Sequence, residues 1–110
     1  MAIPIPGQQV RGSQSGKPIM ALLDLLGRTW ALGIIWQLHK GTATFRHLQQ
    51  RCEQVSPSLL NTRLKELIAL QLVLKHQDGY ALSQQGKSLY EIISPLGDWS
   101  KQWAEQVNQN

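Results

Sequence analysis

A chain of 110 residues, 42% of them hydrophobic and 16% charged, can build one ordinary globular core and not two. Its net charge of +4 is uneven: residues 40–87 carry seven Lys and Arg against three Asp and Glu, whereas residues 88–110 carry one against three. No apolar run nears the roughly 18 residues of a membrane span, and the start M-A-I-P-I-P-G lacks the regions of a signal peptide. The single cysteine, Cys52, excludes an intramolecular disulfide, so a cytoplasmic protein with no membrane partner is expected.

Residues 1–17 set Pro4, Pro6, Gly7, Gly12 and Gly16 among glutamines and serines and read as a flexible arm, leaving residues 18–110 as the domain. Pro18 suits the first turn of a helix, P-I-M-A-L-L-D-L-L, which Gly27 ends. Ile19, Leu22, Leu23, Leu25 and Leu26 make it apolar around most of its circumference, more than one small domain can cover. Part of it is therefore expected at a subunit interface.

Thr29 is placed to cap a second helix running to Gly41, with Trp30, Ile34, Ile35 and Leu38 recurring at helical spacing. Core packing is the simpler reading of Trp30 and Trp36, and a ligand pocket is the alternative. Thr42-Ala43 is long enough only for a small edge strand. Thr44 then caps T-F-R-H-L-Q-Q-R-C-E, which turns Phe45, Leu48 and Cys52 inward.

A short connection leads to Ser56-Pro57, a capping hydroxyl followed by proline at the first helical position. At 100° per residue Leu60, Leu64, Leu67 and Ile68 share one face of the helix that follows, with Ser58, Thr62 and Lys65 near the opposite one. Asn61 and Glu66 fall on its flanks. Small polar groups followed by a cation suit a helix laid into the major groove, although an ordinary amphipathic surface helix shows the same pattern. Two helices joined so tightly make a helix-turn-helix.

Beyond Leu72 the period shortens to two. Val73 to His76 and Tyr80 to Ser83 read as strands around Asp78-Gly79, a strong hairpin signal and the expected wing. A helix from Ser83 or Gln84 follows, broken near Pro95 and Gly97. Trp99, Trp103 and Val107 then form a stripe that wants a partner, for which the first helix is the obvious choice.

Over about residues 18–103 the chain resembles the HxlR family of bacterial winged-helix transcriptional regulators. The likeness lies in A-L-L-D-L-L-G-R-T-W-A-L-G-I-I-W-Q-L at 21–38, in Gly41, Phe45 and Leu48, and in S-P-S-L-L-N-T-R-L-K-E-L at 56–67. A-L-S-Q-Q-G and the D-W at 98–99 extend it. The resemblance implies a mainly α fold with a small β-hairpin, a winged helix-turn-helix dimerising through its first and last helices. It also implies double-stranded DNA, as a pseudo-palindromic operator, for the partner and sequence-specific transcriptional regulation, as a repressor, for the function.

Carried across by position, Ser58, Asn61, Thr62 and Lys65 are the base-edge candidates. Ser56 and Arg63 would touch phosphate, with an ion pair to Glu66 or Glu53 as the alternative for Arg63. Arg46, Lys75 and His76 complete the expected DNA-contacting set. The dimer interface would comprise Ile19, Leu22, Leu23, Leu26, Leu96, Trp99 and Trp103. Two features depart from the family. Its frequent Cys-Pro ahead of the first helix is Lys17-Pro18 here, which leaves Cys52 as a buried apolar residue rather than a sensor. The wing is also shorter and less basic than is usual.

The sequence has no G-x-G-x-x-G, no phosphate loop ending in Gly-Lys-Ser/Thr and no H-E-x-x-H. His39, His47 and His76 fall on three elements without a second cysteine, so neither an enzyme nor a metal or other cofactor is expected. Two alternatives remain open at this stage. One is a winged-helix dimer turned protein-interaction module, and the other is a regulator with a small-molecule effector seated near Trp30, Trp36 and Trp99.

Overall fold

The computed structural model describes residues 3–109. Its elements follow the order α1 (Pro18–Leu26), α2 (Ala31–Leu38), α3 (Phe45–Arg51), α4 (Pro57–Ala69), β1 (Val73–His76), β2 (Gly79–Leu82), α5 (Gln84–Ile93) and α6 (Leu96–Asn108). This is the expected mainly helical fold with one antiparallel hairpin.

Side-chain caps start three of the helices. Thr44 Oγ1 accepts from the His47 N–H at 3.1 Å, Ser56 Oγ from Leu59 at 3.2 Å and Ser83 Oγ from Gly86 at 3.0 Å. Each satisfies one of the amides a helix start leaves without a partner. Between α3 and α4, Glu53 and Gln54 adopt φ of 57° and 60°, so the chain reverses within two left-handed residues. Gln49 Nε2 secures that turn by donating to the Val55 carbonyl at 2.9 Å.

Helix α2 lies at the centre. Ile34, Ile35 and Leu38 pack with Leu48 and Cys52 of the α3 segment, with Leu60, Leu64 and Leu67 of α4, and with Val73 and Leu82 of the hairpin. The α2 start differs from expectation, because Thr29 does not cap it. Trp30 precedes Ala31 in the left-handed region at φ 67° with no side-chain cap, and the Thr29 carbonyl is used elsewhere. The Trp30 indole lies over Gly33, where a Cβ would overlap the ring.

The hairpin also differs in one detail. Its two turn residues are Gln77 and Asp78, whereas Gly79 belongs to β2 opposite His76. Gly79 stands at φ 134°, and a Cβ there would overlap the Ala43 carbonyl oxygen. That close approach lets Ala43 and Tyr80 exchange backbone hydrogen bonds of 3.0 and 2.7 Å, the small edge strand reduced to a single bridge.

The arm lies back against the body. Pro4 is buried, Val10 and Ser13 exchange backbone hydrogen bonds, and Arg11 approaches Asp24 of α1 at 3.7 Å. Helix α6, by contrast, buries none of its residues. Among the described residues no single helix is long and apolar enough to cross a membrane.

Candidate nucleic-acid interface

Helix α4 divides cleanly. Leu60, Leu64 and Leu67 are buried, while Ser58, Asn61, Thr62 and Lys65 are exposed at i, i+3, i+4 and i+7 along one strip. Among the described residues none of those four side chains is held by a hydrogen bond or ion pair. The strip is therefore open to an incoming partner, with compact hydrogen-bonding groups near the N-terminus and an ammonium two turns along. Ser56 stands at the head of the helix, its Oγ accepting the capping bond from Leu59.

Arg46 on α3 and His76 at the end of β1 are exposed, and Lys75 Nζ lies 5.5 Å from the centroid of the Tyr80 ring. The aromatic face steadies the Lys75 stem while its charge stays in solvent. No acidic side chain pairs with Arg46, Lys65, Lys75 or His76 among the described residues.

Arg63 is placed differently from the other cations. Its Nη1 donates to Glu66 Oε1 at 3.1 Å and its Nε to the Thr29 carbonyl at 2.8 Å, with the side chain largely buried. The ion-pair alternative thus describes its position, and its guanidinium is committed inside the protein. The same carboxylate accepts from Arg28 Nη1 at 2.6 Å, and Arg28 Nη2 reaches Asp24 Oδ2 at 3.2 Å. Arg28 is 7% exposed and Glu66 6%.

The network joins the end of α1 and the α1–α2 connection to the middle of α4. Sequence reasoning missed Arg28 and Asp24, and the angle count set Glu66 on the solvent flank. The available signal was local: Asp24 and Arg28 are i, i+4 partners, and Arg63 and Glu66 are i, i+3 partners. Nothing in the pattern shows that the two pairs meet.

The model of the HxlR-like helix-turn-helix family matches residues 25–108. The chain belongs to that family. The helix-turn-helix transcriptional regulator YvaP of Bacillus subtilis is 29% identical over 91 residues, which cover 76% of this chain and 83% of YvaP. Quinone-bound YodB, also from B. subtilis, superposes with a TM-score of 0.70 at 27% identity over 76% of this chain and 96% of its own. A possible HxlR family transcriptional factor from Thermoplasma volcanium gives 0.67 at 26%, covering 81% and 83%. These likenesses make α3 and α4 the helix-turn-helix of an HxlR-like transcriptional regulator, and β1–β2 its wing.

The residues expected at a dimer interface divide into two groups. Ile19 and Leu23 of α1 and Leu96, Trp99 and Trp103 of α6 are exposed, whereas Leu22 and Leu26 are half-buried within the protomer. Ile92 of α5 is also exposed, at 73%.

The three tryptophans considered for an effector site occupy three settings. Trp30 covers Gly33, Trp36 lies against Gly97 and edge-on to Tyr90, and Trp99 stacks on Trp103 at 5.8 Å.

Proposed function

We propose that the protein is a homodimeric, sequence-specific DNA-binding repressor that sets α4 of each protomer into the major groove of a pseudo-palindromic operator. The observation that carries this reading is the open strip of Ser58, Asn61, Thr62 and Lys65, whose side chains have no partner among the described residues. Amide, hydroxyl and ammonium groups of this kind read base edges in the major groove. Ser56, Arg46, Lys75 and His76 supply phosphate contacts, and Arg63 supports the helix from within. Two such helices roughly 34 Å apart meet successive major grooves, and occupation of the promoter blocks transcription.

The relative YodB is also known in a diamide-treated form. Diamide oxidises thiols, and the one thiol here, Cys52, is fully buried with its pKa pushed up to about 11 by that burial.

The decisive experiment is fluorescence anisotropy on a mixed-sequence duplex across about 50 to 300 mM salt, for the wild type and Lys65→Ala. Affinity falls steeply with salt, and a phosphate-contacting lysine lowers the slope by about 1 when removed. A base-reading lysine instead leaves that slope nearly intact and costs roughly 1–3 kcal/mol on the selected operator alone. One observation favours a second reading, a protein-interaction module: the wing tip is only Gln77-Asp78 and carries an acid where a basic tip would meet phosphate. A dimeric protein with no DNA binding at low salt would establish that reading instead.

A further inference from the structure

The cavity between the end of α2, β2 and α5 has a volume of about 470 Å³ and is separate from the α4 strip. That is within the usual size of a small-molecule site. Its floor is apolar, made by Leu38 and Leu82, both buried. One wall is a pair of rings, His39 and Tyr90, stacked at 4.2 Å with planes 8° apart. Trp36 backs this wall, edge-on to Tyr90 at 5.5 Å. The His39 ring is pinned by a hydrogen bond from Nδ1 to the Trp36 carbonyl. A carbonyl only accepts, so Nδ1 carries the proton and the ring orientation is fixed.

At the rim stand Lys87 and Glu91, one helical turn apart on α5. Opposite charges at this spacing usually pair, but with lysine ahead of glutamate the orientation is the weaker one. Among the described residues these two form no ion pair, so a cation and an anion flank the same opening. An apolar floor, a flat aromatic wall and one charge of each sign together select a ligand with a planar ring and both charges close together.

We propose that this cavity binds a free aromatic α-amino acid, its ring over Leu38 and Leu82 against the His39–Tyr90 stack, its carboxylate on Lys87 and its ammonium on Glu91. A ligand carrying one charge makes only one of the two charge-assisted contacts the rim offers. The occupant would touch β2 of the wing and α5, which leads into α6. The proposal does not depend on the DNA reading, and its test uses no DNA.

The test titrates the full-length protein, ¹⁵N-labelled, with L-phenylalanine to about 10 mM, followed by amide shifts and converted to Kd. Two analogues each lack one charge, 3-phenylpropanoate and phenethylamine. Saturable shifts centred on Gly41, Thr42, Ala81 and Lys87 are expected, with each analogue about tenfold weaker. Lys87→Met and Glu91→Gln alter exposed side chains and leave the fold intact; each should weaken phenylalanine about tenfold, while Lys87→Arg restores binding. Absence of saturable shifts overturns the proposal. So does equal binding of 3-phenylpropanoate, or shifts confined to the Trp99–Trp103 end.

Discussion

Glu66 accepts from two arginines on different parts of the chain, and its removal leaves both charges largely out of water with a lost counterion. Truncating one member of a buried ion pair costs about 3–5 kcal/mol, far more than breaking a surface pair. Glu66→Ala should accordingly lower the unfolding free energy measured in urea by that amount, whereas Glu91→Ala, on an exposed residue, should change it by less than about 0.5 kcal/mol. Equal effects would mean that the network contributes nothing beyond a surface ion pair.

Cys52 makes a prediction of another kind. Burial raises its thiol from an ordinary 9.0 to about 11, with the nearby Arg51 charge pulling the other way. The unfolded chain gives up this proton near 9 and the folded chain holds it to about 11, so in that window the unfolded state binds fewer protons. Stability therefore falls as pH rises through the window, and the contribution is fully present below it. The readout is the difference in urea stability between wild type and Cys52→Ala. That difference should shift against the wild type as the pH is raised. A pH-independent difference would show that the thiol ionises as freely in the fold as outside it.

At the scale of elements, one close backbone approach ties the wing down in addition to the core packing of Val73 and Leu82. Gly79 lets β2 come against Ala43, and the Ala43–Tyr80 bridge ties the hairpin to the stretch ahead of α3. Gly79→Ala meets both a left-handed φ and the Ala43 carbonyl, a strain of about 1–3 kcal/mol. Amide hydrogen exchange at Ala43 and Tyr80 should accelerate in that variant while the α2 amides stay protected. Uniform acceleration would show that the bridge is part of the core and not a local tie.

The same residue shows what the sequence disclosed. Asp78-Gly79 announced a hairpin correctly, because a glycine among alternating apolar residues favours a turn. The reason for that glycine lies 36 positions earlier in the chain, at a partner no local pattern contains. The caps Thr44 and Ser56 were legible for the opposite reason, since a cap depends on three residues of its own helix, whereas Thr29 was read as a cap by the same rule and its carbonyl instead accepts from Arg63. The outer strip of α4 was likewise readable from angle alone. Arg63 could be placed only between alternatives until Glu66 and Thr29 appeared beside it. Arg28 showed only its local pairing with Asp24, because its contact with Glu66 spans 38 positions that no local pattern contains.

At the scale of the molecule, large apolar side chains on three helices have no cover within the protomer. Ile19, Leu23, Ile92, Leu96, Trp99, Trp103 and Val107 are all large, apolar and exposed, and they come from α1, α5 and α6. A 13-residue helix that buries nothing is marginal in water on its own, so α6 needs packing to persist. The stacked Trp99–Trp103 pair offers the kind of aromatic anchor that concentrates interface energy. In the dimer we propose, a twofold axis beside the Trp99–Trp103 pair would bring each protomer's α6 against the other. Trp99→Asp with Trp103→Asp should then yield a monomer in sedimentation equilibrium, with the Trp30 environment and hairpin shifts unchanged and helicity reduced by about the length of α6. Operator binding in the monomer should fall by about a hundredfold or more, because each half-site then binds without the effective concentration its partner supplies. Unspecific binding should fall far less, since it needs only one protomer's cations on phosphate. A double variant that remains dimeric would move the interface off α6. One that is monomeric yet binds its operator at full strength would remove the need for paired recognition helices.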